Sequence, residues 1–127
     1  MASKTFAQRP GDVLKWELNP DYCREIVTIA SGAGKLGVGS VLGRITSSGK
    51  YVLSDPAATD GSETAAALLL EEVDAASADA KALVILRGPA IASKAALVFH
   101  SNVDTQAEKD AKYSELANLG IVVRETV

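Results

Sequence analysis

Cysteine is almost absent from this chain of 127 residues: Cys23 is the only one. An intramolecular disulfide is therefore excluded, and a lone thiol suits a reducing compartment. Histidine is equally scarce, with His100 alone, so one chain has too few soft ligands for a structural zinc site. Aromatic residues make up 5% of the sequence, and the core must be built from Val, Ile, Leu and Ala. No run of about 18 apolar residues exists, which excludes a membrane-spanning helix. The first residues lack the apolar centre of a signal peptide. No basic block appears, and the net charge is −3 with an isoelectric point near 5.1. Binding to nucleic acid or to an anionic membrane is not expected without a concentrated basic face. The expectation is a soluble protein made inside a cell, with no cofactor.

What is present is ordinary for one globular domain: 47% hydrophobic and 23% charged residues. The organising stretch runs from Ile26 to Tyr51. Two β-branched segments, Ile26–Ala30 and Val41–Thr46, flank a loop carrying Gly32, Gly34, Gly37 and Gly39. Such segments fit a pleated, half-buried surface, and the glycines permit tight reversals. Lys50–Ser54 is a third strand, reached through the short turn Ser47-Ser48-Gly49.

Ahead of this section, Met1–Tyr22 shows neither strand nor helix period, and Pro10-Gly11 and Asn19-Pro20 punctuate it. Val13, Leu14, Trp16 and Leu18 nevertheless sit together within it. They form either a tail folded back onto the domain or an arm that orders against a partner, with Trp16 as an anchor. Some twenty extended residues at about 3.3 Å each reach roughly 60 Å. Either way, Cys23–Val127 is read as the single compact domain.

Beyond the central strands, Asp55–Gly61 is a loop by its turn residues. Glu63–Asp74 is ambiguous. Its Ala and Leu content favours helix, whereas Leu68, Leu70 and Val73 could line a strand. Ala82–Leu86 reads as a buried strand, and the run Ala95–Phe99 as another. Thr105–Leu119 reads as a helix with an apolar side of Ala107, Ala111, Leu116 and Leu119. Thr105 and Glu108 form a capping box, and Gly120 is its stop. Ile121–Val123 is a closing strand.

Three patterns invite a chemical reading. Gly32-Ala33-Gly34-Lys35-Leu36-Gly37 matches G-x-G-x-x-G literally, but a dinucleotide loop must open a helix. Val38-Gly39-Ser40-Val41-Leu42-Gly43 follows instead, so the glycines are turn chemistry. Between Lys50 and Lys81 stand seven acids and no base: Asp55, Asp60, Glu63, Glu71, Glu72, Asp74 and Asp79. Their spacing does not fit a calcium loop, and a solvated rim is the plainer reading. His100 lies near Ser101 and Asp104, but no nucleophile elbow accompanies it. No catalytic, metal or cofactor constellation emerges, and the chain is not expected to be an enzyme.

The succession of features resembles one family. Arg24–Gly32, Gly39–Thr46, Ser48–Tyr51, Asp55–Gly61, Ala65–Val73 and Arg87–Ile91, in that order, are similar to the head decoration proteins of tailed bacteriophages, of the lambda protein D type. The likeness spans roughly Gly11 to Glu125. It implies a mainly β (α+β) fold, a small β-clip or β-tulip-like domain with one C-terminal helix and a flexible arm over Met1–Tyr22. It favours strand over helix for Ala66–Val73. It further implies homotrimers seated at the threefold and quasi-threefold positions of the expanded head, cementing the major capsid protein against the pressure of packaged DNA. The arm, with Val13, Leu14, Trp16 and Leu18, is then the capsid-binding element, adding a strand to capsid protein. The expected location is the outer surface of the virion, after synthesis in the bacterial cytoplasm. The competing readings are a glycan-recognising module on the virion surface, which needs an exposed aromatic platform, and a small metal-dependent enzyme using the acidic stretch.

Overall fold

The computed structural model describes residues 9–125. Among these residues ten strands form three sheets, accompanied by one long helix. In chain order they are a helical turn α1 (Pro10–Val13), β1 (Leu14–Glu17), a second turn α2 (Pro20–Cys23), β2 (Arg24–Ile29), β3 (Gly34–Leu36), β4 (Val41–Arg44), β5 (Tyr51–Leu53), β6 (Ala65–Leu69), β7 (Val73–Ala75), β8 (Ala80–Ile85), β9 (Ala90–Ser93), α3 (Gln106–Ala117) and β10 (Ile121–Arg124). A closed barrel has the order β2-β5-β4-β6-β8, a three-stranded sheet the order β1-β9-β10, and β3 pairs with β7 as a ribbon.

The barrel explains the apolar runs. Side chains alternate across a strand, and β4, β6 and β8 bury both of their faces. Leu42, Ala67, Leu69, Ala82 and Val84 point into the barrel with Ile29 and Tyr51. Val41, Leu68, Leu70 and Ile85 point outward, into a second core closed by Val13, Leu14, Ala90, Ala92, Leu116 and Ile121 from the three-stranded sheet and α3. A strand covered on both sides needs a continuous apolar sequence rather than an alternating one. Leu68-Leu69-Leu70 is such a run, so the helix that propensity suggests over Glu63–Asp74 does not form. The strand the family resemblance implies is there, over Ala65–Leu69.

Other expectations are adjusted. The strand expected over Ala95–Phe99 is a 3-10 turn at Lys94–Ala96, followed by a single bridge from Val98 to Ser40. The ordered strand lies just before it, because Ala90–Ser93 is held between β1 and β10. Alanine carries little intrinsic strand preference, so pairing decided the position. The capping box of α3 forms as expected: the Thr105 hydroxyl accepts from the Glu108 N–H, and the Glu108 carboxylate accepts from the Thr105 N–H. Its buried face is different. Ala107 and Ala111 are exposed, whereas Lys112 and Leu116 are buried. Alanine has little area to bury, so Leu116 and the aliphatic stem of Lys112 orient the helix. The glycine loop is turn chemistry: Gly32, Gly34 and Gly39 adopt positive φ, and β3 rather than a helix follows Gly32.

Candidate functional site

The segment before β2 holds the residues singled out as binding anchors. Its part Met1–Gln8 lies outside the described residues. From Arg9 onward it is built onto the body. Pro10 opens α1 with its φ preset and no N–H to leave unpaired, and the Asp12 carboxylate accepts from the Arg9 N–H at 2.8 Å. Val13 and Leu14 drop into the outer core and are 0% and 9% exposed, so in this structure they are packing residues. Asn19 caps α2 by accepting from the Asp21 N–H at 2.8 Å. The Leu18 N–H donates to the Pro89 carbonyl at 3.0 Å. The Arg24 Nε donates to both Glu17 oxygens, at 2.9 and 3.1 Å, which ties β1 to the start of β2.

Trp16 and Leu18 behave oppositely to Val13 and Leu14, at 49% and 61% exposed. The cause is a bulge. Leu14 stands opposite Ala92, but Trp16 stands opposite Ile91, so two residues of β1 match one step of β9. In a regular strand Trp16 would share Leu14's inward face. The extra residue, Lys15, turns it outward, and re-aiming a side chain is what such bulges do. The same rung continues from Ile91 to Val122 on β10. Ala90, Ala92 and Ile121 point inward to the core, so Trp16, Ile91 and Val122 share the solvent face. Ile91 and Val122 were not singled out from the sequence. Only the inward alternation of Ile121 and Val123 hinted at Val122; the pairing of distant strands has no local signal.

On α2, Tyr22 is exposed and carries the Arg87 guanidinium 5.2 Å from its ring centroid. Arg87 also pairs with Glu25 at 2.7 Å and donates to the Tyr22 carbonyl. These contacts fix the aromatic ring of α2 against the end of β8.

The acidic stretch does not converge. Asp55 accepts from the Asn102 side chain and the Ala57 N–H, both at 2.9 Å, and lies 3.7 Å from His100 Nε2. Asp60 accepts from the Ser62 hydroxyl and N–H. Glu63, Glu71 and Asp74 accept from the N–H groups of Gly61, Leu83 and Ala76. Asp79 binds the Ser31 N–H at 2.8 Å and Lys50 at 2.7 Å. Among the described residues, no group of three or more His, Cys, Asp or Glu is placed to hold a metal. A groove of about 490 Å³ between the residue 30–33 turn and the 53–62 loop includes Asp55, Asp60 and His100 in its lining. Its two carboxylates already have donors.

Those donors set a pH dependence. Hydrogen bonds from Asn102, from Ser62 and from Lys50 hold Asp55, Asp60 and Asp79, respectively, below the ordinary carboxylate value of 3.8. A carboxylate depressed on folding contributes stability that is fully present above its unfolded pKa. That contribution is lost as pH falls through the folded one. The thermal midpoint is therefore expected to hold above about pH 5 and to fall as the solution is taken toward about pH 3. A midpoint unchanged over that range in a pH series of thermal melts contradicts this.

Residues 3–121 match the family described as bacteriophage lambda head decoration protein D. The chain belongs to this family. Its members decorate the phage head, so this is a structural protein associated with the phage capsid. No curated protein matches the chain.

Proposed function

We propose that this head decoration protein is a cementing protein. It binds the expanded head as a homotrimer at threefold and quasi-threefold positions, contacts the major capsid protein and stabilises the shell against packaged DNA. The family match over residues 3–121 carries this reading, and the expected β-clip kinship of the fold belongs to it. The N-terminal segment, Met1–Tyr22, supplies the head contacts. Trp16 and Leu18 are its exposed anchors, and Val13 and Leu14 hold its base in the core. Nothing catalytic is required, because a protein that binds only the expanded shell stabilises that state by mass action. Three linked copies raise the effective concentration of each weak contact. Synthesis in the bacterial cytoplasm precedes attachment to the outside of the virion.

The test is binding to expanded, undecorated heads of the phage that encodes the chain, comparing the intact protein with one lacking Met1–Gln8. Saturable binding, weakened by the truncation, is expected. Saturation at one copy per threefold-related capsid subunit supports the trimer, and absence of binding by the intact, folded chain overturns the reading.

A further inference from the structure

The described chain exposes six large hydrophobic residues to a substantial degree: Trp16, Leu18, Tyr22, Ile26, Val98 and Val122. Trp16 and Leu18 lie at and just beyond the end of β1, and strand register brings Val122 into the rung of Trp16 through Ile91. The result is an apolar band across all three strands of the β1-β9-β10 sheet. The other face of that sheet is core. Solvation alone gives no reason to expose the chain's single tryptophan, and a bulge at Lys15 is what keeps it out of the core beside Leu14.

We infer that this outer face, with Trp16, Ile91 and Val122 in one rung and Leu18 beside them, is a preformed docking surface for the protein shell of the phage head. The inference rests on the head-binding reading above and differs from it in kind. The contact is a rigid sheet face drawing on residues from near both ends of the chain, rather than an arm alone. Three observations name the shell as occupant. The family places the protein on the head. The β1 strand begins, and the β10 strand ends, at the same end of β9, beside Ala92 and Ser93. Eight residues precede Arg9, a chain length of at most about 26 Å, so a partner held by them lies within reach of the face. Aromatic side chains seated at the centre of an interface dominate its energy, and a face already folded spares the ordering cost of a free arm.

Trp16→Ser and Val122→Lys test the surface, with Val98→Ser as an exposed apolar control off this sheet. All three sites are solvent-facing, so the variants keep the fold, which circular dichroism verifies. Each is mixed with expanded, undecorated heads, and self-association of the free protein is followed by sedimentation. Binding weakened about tenfold or more by each sheet variant, with Val98→Ser unchanged and self-association intact, is the expected result. Equal binding by all variants overturns the docking face while leaving the cementing function standing. Loss of self-association in the sheet variants assigns the face to a second copy of this chain and likewise overturns the proposal. No binding by the unaltered protein removes the cementing reading and this inference together.

Discussion

Gly43→Ala is expected to abolish the cooperative thermal transition or to lower its midpoint by well over about 10 °C, through a loss of roughly 4–5 kcal/mol or more. Gly43 lies on β4, opposite Ala65, where the register with β6 shifts. A methyl group added there meets the Ser62 carbonyl oxygen at 1.9 Å, its carbon at 2.6 Å and the Ser62 Cα at 2.7 Å. All three are backbone atoms, so no rotamer change relieves the clash. Ser62 cannot retreat cheaply either. Its carbonyl accepts from the buried Ser54 hydroxyl at 2.8 Å, and its N–H is held by Asp60. The barrel wall must open, or the 54–62 loop must leave its seat. Gly37→Ala is the matched control, because nothing lies within 4 Å of an added methyl there and its φ is not positive. Thermal melts of the two variants check the contrast. A Gly43→Ala protein as stable as the Gly37→Ala protein contradicts it.

Lys112→Ala is expected to cost about 3–5 kcal/mol, the range for breaking a buried charged contact by removing one partner. The Lys112 side chain is 3% exposed. Its ammonium donates to the Ser54 hydroxyl at 3.0 Å and to the Glu63 carbonyl, and lies 3.3 Å from the Glu115 carboxylate. Glu115 in turn accepts from the Ala65 N–H at 2.8 Å. One ammonium thus joins α3 to the 54–63 loop and to the start of β6. Its removal takes the ammonium donor from the Glu63 carbonyl and from the buried Ser54 oxygen, which keeps only its bond to Ser62, and a polar group left short of a partner costs about 1–3 kcal/mol. Lys112→Met separates this from packing. It keeps the aliphatic stem but not the donors, so it should recover only part of the loss. Urea unfolding of both variants reads the difference. Stability of either variant equal to that of the unaltered protein overturns the account of this network.

These two sites mark where local sequence stops being informative. Gly43 sits in a segment rightly read as a strand, yet nothing near it says that the backbone of residue 62 crosses its α-carbon. Lys112 looks like any surface lysine of an amphipathic helix. Its burial is fixed by Leu116 facing β6 and β10, which turns Ala107 and Ala111 to solvent instead. The cap of α3 was legible because Thr105 and Glu108 are three residues apart and interact within one turn. The 65–70 run was legible only through the family resemblance, because periodicity cannot separate a helix from a strand buried on both sides.

By itself the sequence determined the class of the protein: mainly β, one capped helix and glycine-built turns. The ordered likeness across most of the chain led to the phage decoration family. These features depend on contacts within a few residues or on an order of motifs, and both are written along the chain. Only the tertiary structure decided that residues 9–22 pack on the body, that Val13 and Leu14 point inward while a bulge turns Trp16 outward, and that Ile91 and Val122 complete its rung. Each of these depends on register between strands far apart in sequence. A shift of one residue moves a side chain from core to solvent, and the energy that fixes the register comes from burying two cores at once.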